Sequence, residues 1–102
     1  MKNILLVCNQ GMSTSFLVKK MKEAAKESGT EVNIWAVSDA ELSNNWEQAD
    51  IILLGPQVGY LKSNTEKVVG NSIPVSVIDF LAYGRVNGKA VLETALDLIK
   101  EK

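Results

Sequence analysis

The chain has 102 residues, 46% of them apolar and 23% charged, which is the size and balance of one globular domain, 1–102, with a sizeable core. A net charge of −1, from 11 basic and 12 acidic residues, excludes a general attraction to nucleic acid or anionic lipid. The single cysteine and the absence of histidine exclude an internal disulfide, a cysteine- or imidazole-based metal site, a Cys–His or Ser–His pair and a phosphohistidine on this chain.

In chain order, residues 3–8 form a continuous apolar run ending at Cys8, as expected of a strand buried on both faces. Residues 14–28 carry Leu17, Met21, Ala24 and Ala25 at spacings of three and four, with Lys19, Lys20, Lys22, Glu23, Lys26 and Glu27 on the other side. This predicts a helix with Gly29 as its stop. Residues 32–37 read as a more exposed strand, and 39–48 as a helix broken near Ser43-Asn44-Asn45. Residues 50–54 are a second buried strand, and 57–70 a helix opened by Pro56 and closed by Gly70. Residues 73–78 are a further strand interrupted by Pro74 and Ser76, and 89–101 a final helix after Asn87-Gly88. Trp35 and Trp46 are expected in core or edge packing.

Strands alternating with helices predict an α/β fold: a parallel sheet with helices on both faces, flavodoxin-like or Rossmann-like. The apolar runs are too short to span a bilayer, and Met1-Lys2-Asn3 leads straight into a strand, so a cytoplasmic location is expected. In open parallel sheets, sites form beyond the carboxyl ends of the strands. Cys8 stands at such an end, and Asn9, Gln10, Gly11, Met12, Ser13, Thr14 and Ser15 join it to the first helix. The first amides of a helix lack intrahelical partners and carry the positive end of its dipole. With Gly11 allowing a tight loop and Ser13, Thr14 and Ser15 adding hydroxyls, the segment is suited to a dianionic phosphate. The same field favours the thiolate form of a cysteine placed there. A buried, inert cysteine beside an ordinary turn is the plainer alternative.

Two known loops are close. A Walker loop needs a lysine, and none lies between Cys8 and Lys19. The tyrosine-phosphatase loop, Cys-x5-Arg-Ser/Thr, matches in skeleton, but Thr14 holds the arginine position and Ser15 follows. Hydrolysis relies on that guanidinium to stabilise the transferring phosphoryl group, whereas a carrier needs it less. The loop therefore points to relay, with a low-molecular-weight phosphatase or arsenate-reductase-like thiolate enzyme as the alternative. A reductase would also need further cysteines. A non-catalytic flavodoxin-like binding or response module would leave Cys8 unexplained, and the paired acidic residues of a receiver domain are missing.

Three segments, "CNQGMSTSFLVKKM" (8–21), "ADIILLGPQVGY" (49–60) and "PVSVIDFLAYGRVNGKAVL" (74–92), jointly resemble enzyme IIB of the lactose/chitobiose (cellobiose) class of the bacterial sugar phosphotransferase system. The resemblance covers nearly the whole chain. It implies a three-layer α/β sandwich with a four-stranded parallel sheet in the order 2-1-3-4, similar to the low-molecular-weight tyrosine phosphatase fold. It also implies a relay in which phosphohistidine on a IIA protein donates to Cys8. Phosphorylated Cys8 then donates to a sugar, such as the β-linked disaccharides cellobiose or chitobiose, held by the membrane transporter IIC. Residues 9 to 15 map onto the phosphate-binding loop. No metal or cofactor and no direct membrane insertion are implied.

Four residues beyond the loop are candidates for partner-facing roles. Gln57 and Tyr60 follow the third strand and so flank the edge that holds Cys8; a plain strand-to-helix turn is the competing reading. Asp79 ends the fourth strand, where helix capping is favoured over a role beside a phosphate that it would repel. Tyr83 serves recognition or packs under a loop. Lys19, Lys20 and Lys22 read as a solvated helix face, and Met12 as a partner contact or a staple on the first helix.

Overall fold

The computed structural model describes residues 1–8, 11–70 and 72–100, with Gly11, Met12 and Ser13 described in backbone only. The strands are β1 (Lys2–Cys8), β2 (Val32–Ser38), β3 (Ile51–Leu54) and β4 (Val75–Val77). The helices are α1 (Gly11–Ser28), α2 (Lys62–Val69), α3 (Phe80–Gly84) and α4 (Gly88–Lys100). The sheet is wholly parallel in the order β2-β1-β3-β4, as the resemblance implied.

The apolar runs explain the centre of the sheet. Ile4 to Val7 and Ile51 to Leu54 are all buried, and alternate residues feed opposite layers. Ile4, Leu6, Ile51 and Leu53 pack with Leu17, Met21, Val91, Leu92 and Ala95 of α1 and α4. On the other face Leu5, Val7, Ile52 and Leu54 pack with Leu42, Val58 and Val69, and Trp35 and Trp46 lie against this second core. Each such Leu or Ile contributes roughly 1.5–3 kcal/mol over exposure. The Lys20–Glu23 ion pair, 3.7 Å apart and about half exposed, contributes about 0–1 kcal/mol. The lysine face of α1 is thus solvated surface, with Lys20 also 5.6 Å above the Phe16 ring.

Beyond shifts of one or two residues at element ends, the structure differs from the sequence reading in four places. Helix α1 starts at Gly11 rather than residue 14. Residues 39–48 form two 3-10 segments, Asp39–Asn44 and Trp46–Gln48, separated at Asn45. The expected 57–70 helix is a 3-10 segment over Pro56–Leu61 followed by α2, because Val58 (φ −116°, ψ 20°) departs from helical geometry. Finally, α3 lies outside the helices expected from periodicity, although helix capping was the favoured reading of Asp79. Asp79 ends the strand region and caps this short helix, accepting a 3.0 Å bond from the Ala82 N–H on Oδ2. Gly29 and Gly70 close α1 and α2 in the left-handed region, at φ 70° and 61°, where a side chain is disfavoured.

Candidate functional site

Parallel registry brings the four strand ends to one edge. Cys8 is the last residue of β1 and pairs with Ser38, the last of β2. On the other side Val7 pairs with Leu54, and the Gly55 N–H donates to the Val7 carbonyl at 2.9 Å, which sets Gly55 beside Cys8. Beyond β3, the Ile78 N–H bonds the Leu54 carbonyl at 2.8 Å and carries the edge on to Asp79. Cys8 itself is 3% exposed. Helix α1 opens at Gly11, three residues further on, and its first turn holds no acidic residue to compete with a bound anion. Asn9 and Gln10, and the side chains of Gly11, Met12 and Ser13, lie outside the described residues.

Thr14 is 1% exposed, and its Oγ1 lies 3.1 Å from the Tyr83 hydroxyl. This contact joins the first turn of α1 to α3 across 69 positions of the chain. Ser15 is exposed. Tyr83 is half-buried and packs against the α1–α4 core, and Asp79 is exposed in its capping role. Gln57 is exposed, but its Oε1 lies only 2.9 Å from where a Cβ on Gly55 would stand, so it folds back over the residue next to Cys8. Tyr60 is 76% exposed in the 3-10 segment after β3. Two pairings therefore emerge: Gln57 with Gly55 beside Cys8, and Tyr83 with Thr14.

Gly55, Phe80 and Leu81 were not singled out in the sequence as site residues. Phe80 and Leu81, 76% and 61% exposed, stand on α3 just past the β4 end. The Asp-x-x-Ala pattern of 79–82 is the signal that marks this helix. Gly55 has no such local signal, since its φ of −60° and ψ of 151° suit any residue. What selects glycine is space. A Cβ there would meet Gln57 Oε1 at 2.9 Å, the Val7 carbonyl at 3.5 Å and Cys8 Cβ at 3.6 Å. Only the first is tight, and it is the end of a flexible side chain. Gly55→Ala is therefore expected to shift stability by less than about 1 kcal/mol, because only the end of a flexible side chain has to move, while displacing Gln57 from its place over Gly55. Thermal denaturation and the rate of Cys8 alkylation check the two halves; a loss of several kcal/mol would show that the Gln57 amide cannot move.

No helix among the described residues is long and apolar enough to cross a membrane. A family model for the "PTS system, Lactose/Cellobiose specific IIB subunit" matches residues 3–94. The chain is 48% identical over 100 residues to the oligo-beta-mannoside-specific EIIB component of Bacillus subtilis (strain 168), covering 97% of each. It is 40% identical over 106 residues to the galactose-specific EIIB component of Lactococcus lactis subsp. cremoris (strain MG1363), covering 96% of each. The solution structure of the cellobiose-specific phosphotransferase IIB component protein from Borrelia burgdorferi superimposes with a TM-score of 0.83, at 36% identity over 99% of this chain and 94% of that one. The shared fold is that of the low-molecular-weight phosphatases.

Proposed function

Because the chain belongs to the lactose/cellobiose-specific IIB family of the sugar phosphotransferase system, we propose that Cys8 is its phosphoryl carrier. The observation that supports this most directly is positional. The only cysteine of a histidine-free chain ends β1, beside Gly55 and three residues before the amino end of a helix. A thiolate there attacks the phosphorus of a phosphohistidine on a IIA protein. The S–P bond forms as the P–N bond breaks, and the imidazole leaves with the electron pair and takes up a proton. In the second step a hydroxyl of the sugar bound by IIC attacks phosphorus; the hydroxyl loses its proton and the thiolate departs. The amides of residues 9 to 15 and the hydroxyls of Ser13 and Ser15 hold the three phosphoryl oxygens, with the helix dipole offsetting their charge.

Oligo-β-mannoside and cellobiose, for which two of the relatives are specific, favour a β-linked sugar such as a disaccharide as the acceptor. In this reading the protein works on the cytoplasmic side and meets the membrane only through IIC. Gln57, Tyr60, Asp79 and Tyr83 surround the edge at which both partners dock.

The shared phosphatase fold supports hydrolysis as a second reading, against which stands Thr14 in the arginine position. One experiment separates the two. Incubation with a histidine-phosphorylated IIA protein is expected to add one phosphate to the intact mass, on the peptide containing Cys8. Absence of the adduct, together with rapid turnover of p-nitrophenyl phosphate, would establish the phosphatase instead.

A further inference from the structure

We propose that Tyr83 is a positioning residue whose hydroxyl, delivered from α3, pins Thr14 and with it the first turn of α1; its bearing on phosphoryl transfer rests on the carrier reading above. Thr14 and Thr65 are the buried polar side chains among the described residues. A hydroxyl so far from water needs a partner, and the Tyr83 hydroxyl at 3.1 Å is one. Thr14 sits in the first turn of α1, so whatever fixes Thr14 fixes the direction of that turn's amides.

Tyr83 is itself held at both ends of its helix. Asp79 caps the start of α3 through the Ala82 N–H. At the other end the Asn87 N–H returns to the Ala82 carbonyl at 2.8 Å and the Val86 N–H to the Tyr83 carbonyl at 3.1 Å. This closing turn places Val86 at φ 51°, the one left-handed non-glycine residue among those described. A β-branched side chain is disfavoured there, so surrounding contacts must hold it. They do: Val86 packs against the α1–α4 core, and Asn87 Oδ1 accepts from the Ala90 N–H at 3.1 Å to start α4. The Tyr83 ring lies on the same core. The hydroxyl is thus presented from a platform fixed by α4 and by the end of β4, rather than from a free loop.

Removing that hydroxyl while keeping the ring takes a partner from the buried Thr14 hydroxyl, a loss the first turn can relieve by opening to water. In Tyr83→Phe, amide exchange of residues 15–18, which in a regular helix donate to the carbonyls of that turn, is expected to quicken about tenfold, with the amides of β1 and α4 unchanged. Phosphoryl uptake by Cys8 is expected to fall about tenfold in kcat at constant KM for the IIA donor, the split that distinguishes positioning from docking. Thr14→Val is expected to reproduce both effects, and the double variant to be no worse than either single one, because one bond is lost in all three. Thr14→Ser, which keeps a hydroxyl, retains wild-type exchange. Unchanged exchange at residues 15–18 in Tyr83→Phe, or losses that multiply in the double variant, would overturn the proposal. Should wild-type protein take up no phosphate, the carrier reading falls, while the exchange data still decide the role of Tyr83.

Discussion

Cys8→Ser is expected to slow phosphoryl uptake from a phosphorylated IIA protein by roughly three orders of magnitude or more while leaving the fold intact. A serine hydroxyl is scarcely ionised near neutral pH and needs an adjacent base to act as a nucleophile. The chain has no histidine to supply one. The structural cost is much smaller. Oxygen replaces sulfur at a residue 3% exposed, in a strand whose backbone pairing with Ser38 is untouched. A buried hydroxyl without a full complement of partners costs on the order of 1–3 kcal/mol, against a domain stability of roughly 5–15 kcal/mol. Uptake followed by intact mass, alongside a thermal melt of the same sample, checks both statements. A serine variant that accepts phosphate at the wild-type rate would move the carrier site off Cys8.

The largest expected effect on stability lies far along the chain, at Gly88. A Cβ on this residue would stand 2.4 Å from the Lys20 carbonyl carbon, 2.5 Å from the Met21 nitrogen and 2.7 Å from Lys20 Cβ. Two of these atoms are helix backbone and cannot swing aside, so α1 and α4 would have to separate. Their contact carries Leu17, Met21, Val91, Leu92 and Ala95 of the core. Gly88→Ala is therefore expected to cost about 3 kcal/mol, the upper part of the range for overpacking, and to lower Tm by on the order of 10–20 °C. Alanine's better helix propensity acts in the opposite direction but is worth at most about 1 kcal/mol, so the clash wins. Chemical denaturation measures it directly. A loss below about 1 kcal/mol would mean that α4 can shift without disturbing the core.

The contrast with Gly55 is instructive. Both glycines are buried, and neither is in the left-handed region. At Gly55 the tight neighbour is a side-chain amide; at Gly88 it is backbone. Neither the identity nor the mobility of the neighbour is visible in the residues around either glycine.

How much was legible follows the same division. The two uninterrupted apolar runs, Ile4 to Val7 and Ile51 to Leu54, announce strands covered on both faces, and they are the buried centre of the sheet. Capping by Asp79, the glycine stops at Gly29 and Gly70, the solvated lysines of α1 and the packing of Trp35 and Trp46 were readable too, because each depends on residue type and near neighbours. The expected helix over 57–70 failed in its first half, because Val58 and Gly59 follow a proline turn whose 3-10 geometry is set by packing of Val58 into the core. Helix α3 was missed because five residues show too little periodicity to stand out from a loop.

The amino-acid order alone therefore settles what local chemistry can settle: alternating strands and helices, a lone cysteine at a strand end, a small polar segment after it, and motifs sufficient to identify the family. Tertiary structure decided which distant residues meet: Gly55 and Gln57 beside Cys8, the Tyr83 hydroxyl on Thr14, and Gly88 against the backbone of α1. Periodicity and capping act over a few residues, so they leave a signature in the chain. Contacts between residues tens of positions apart arise only when whole apolar faces close on one sheet, and no short stretch of sequence records them.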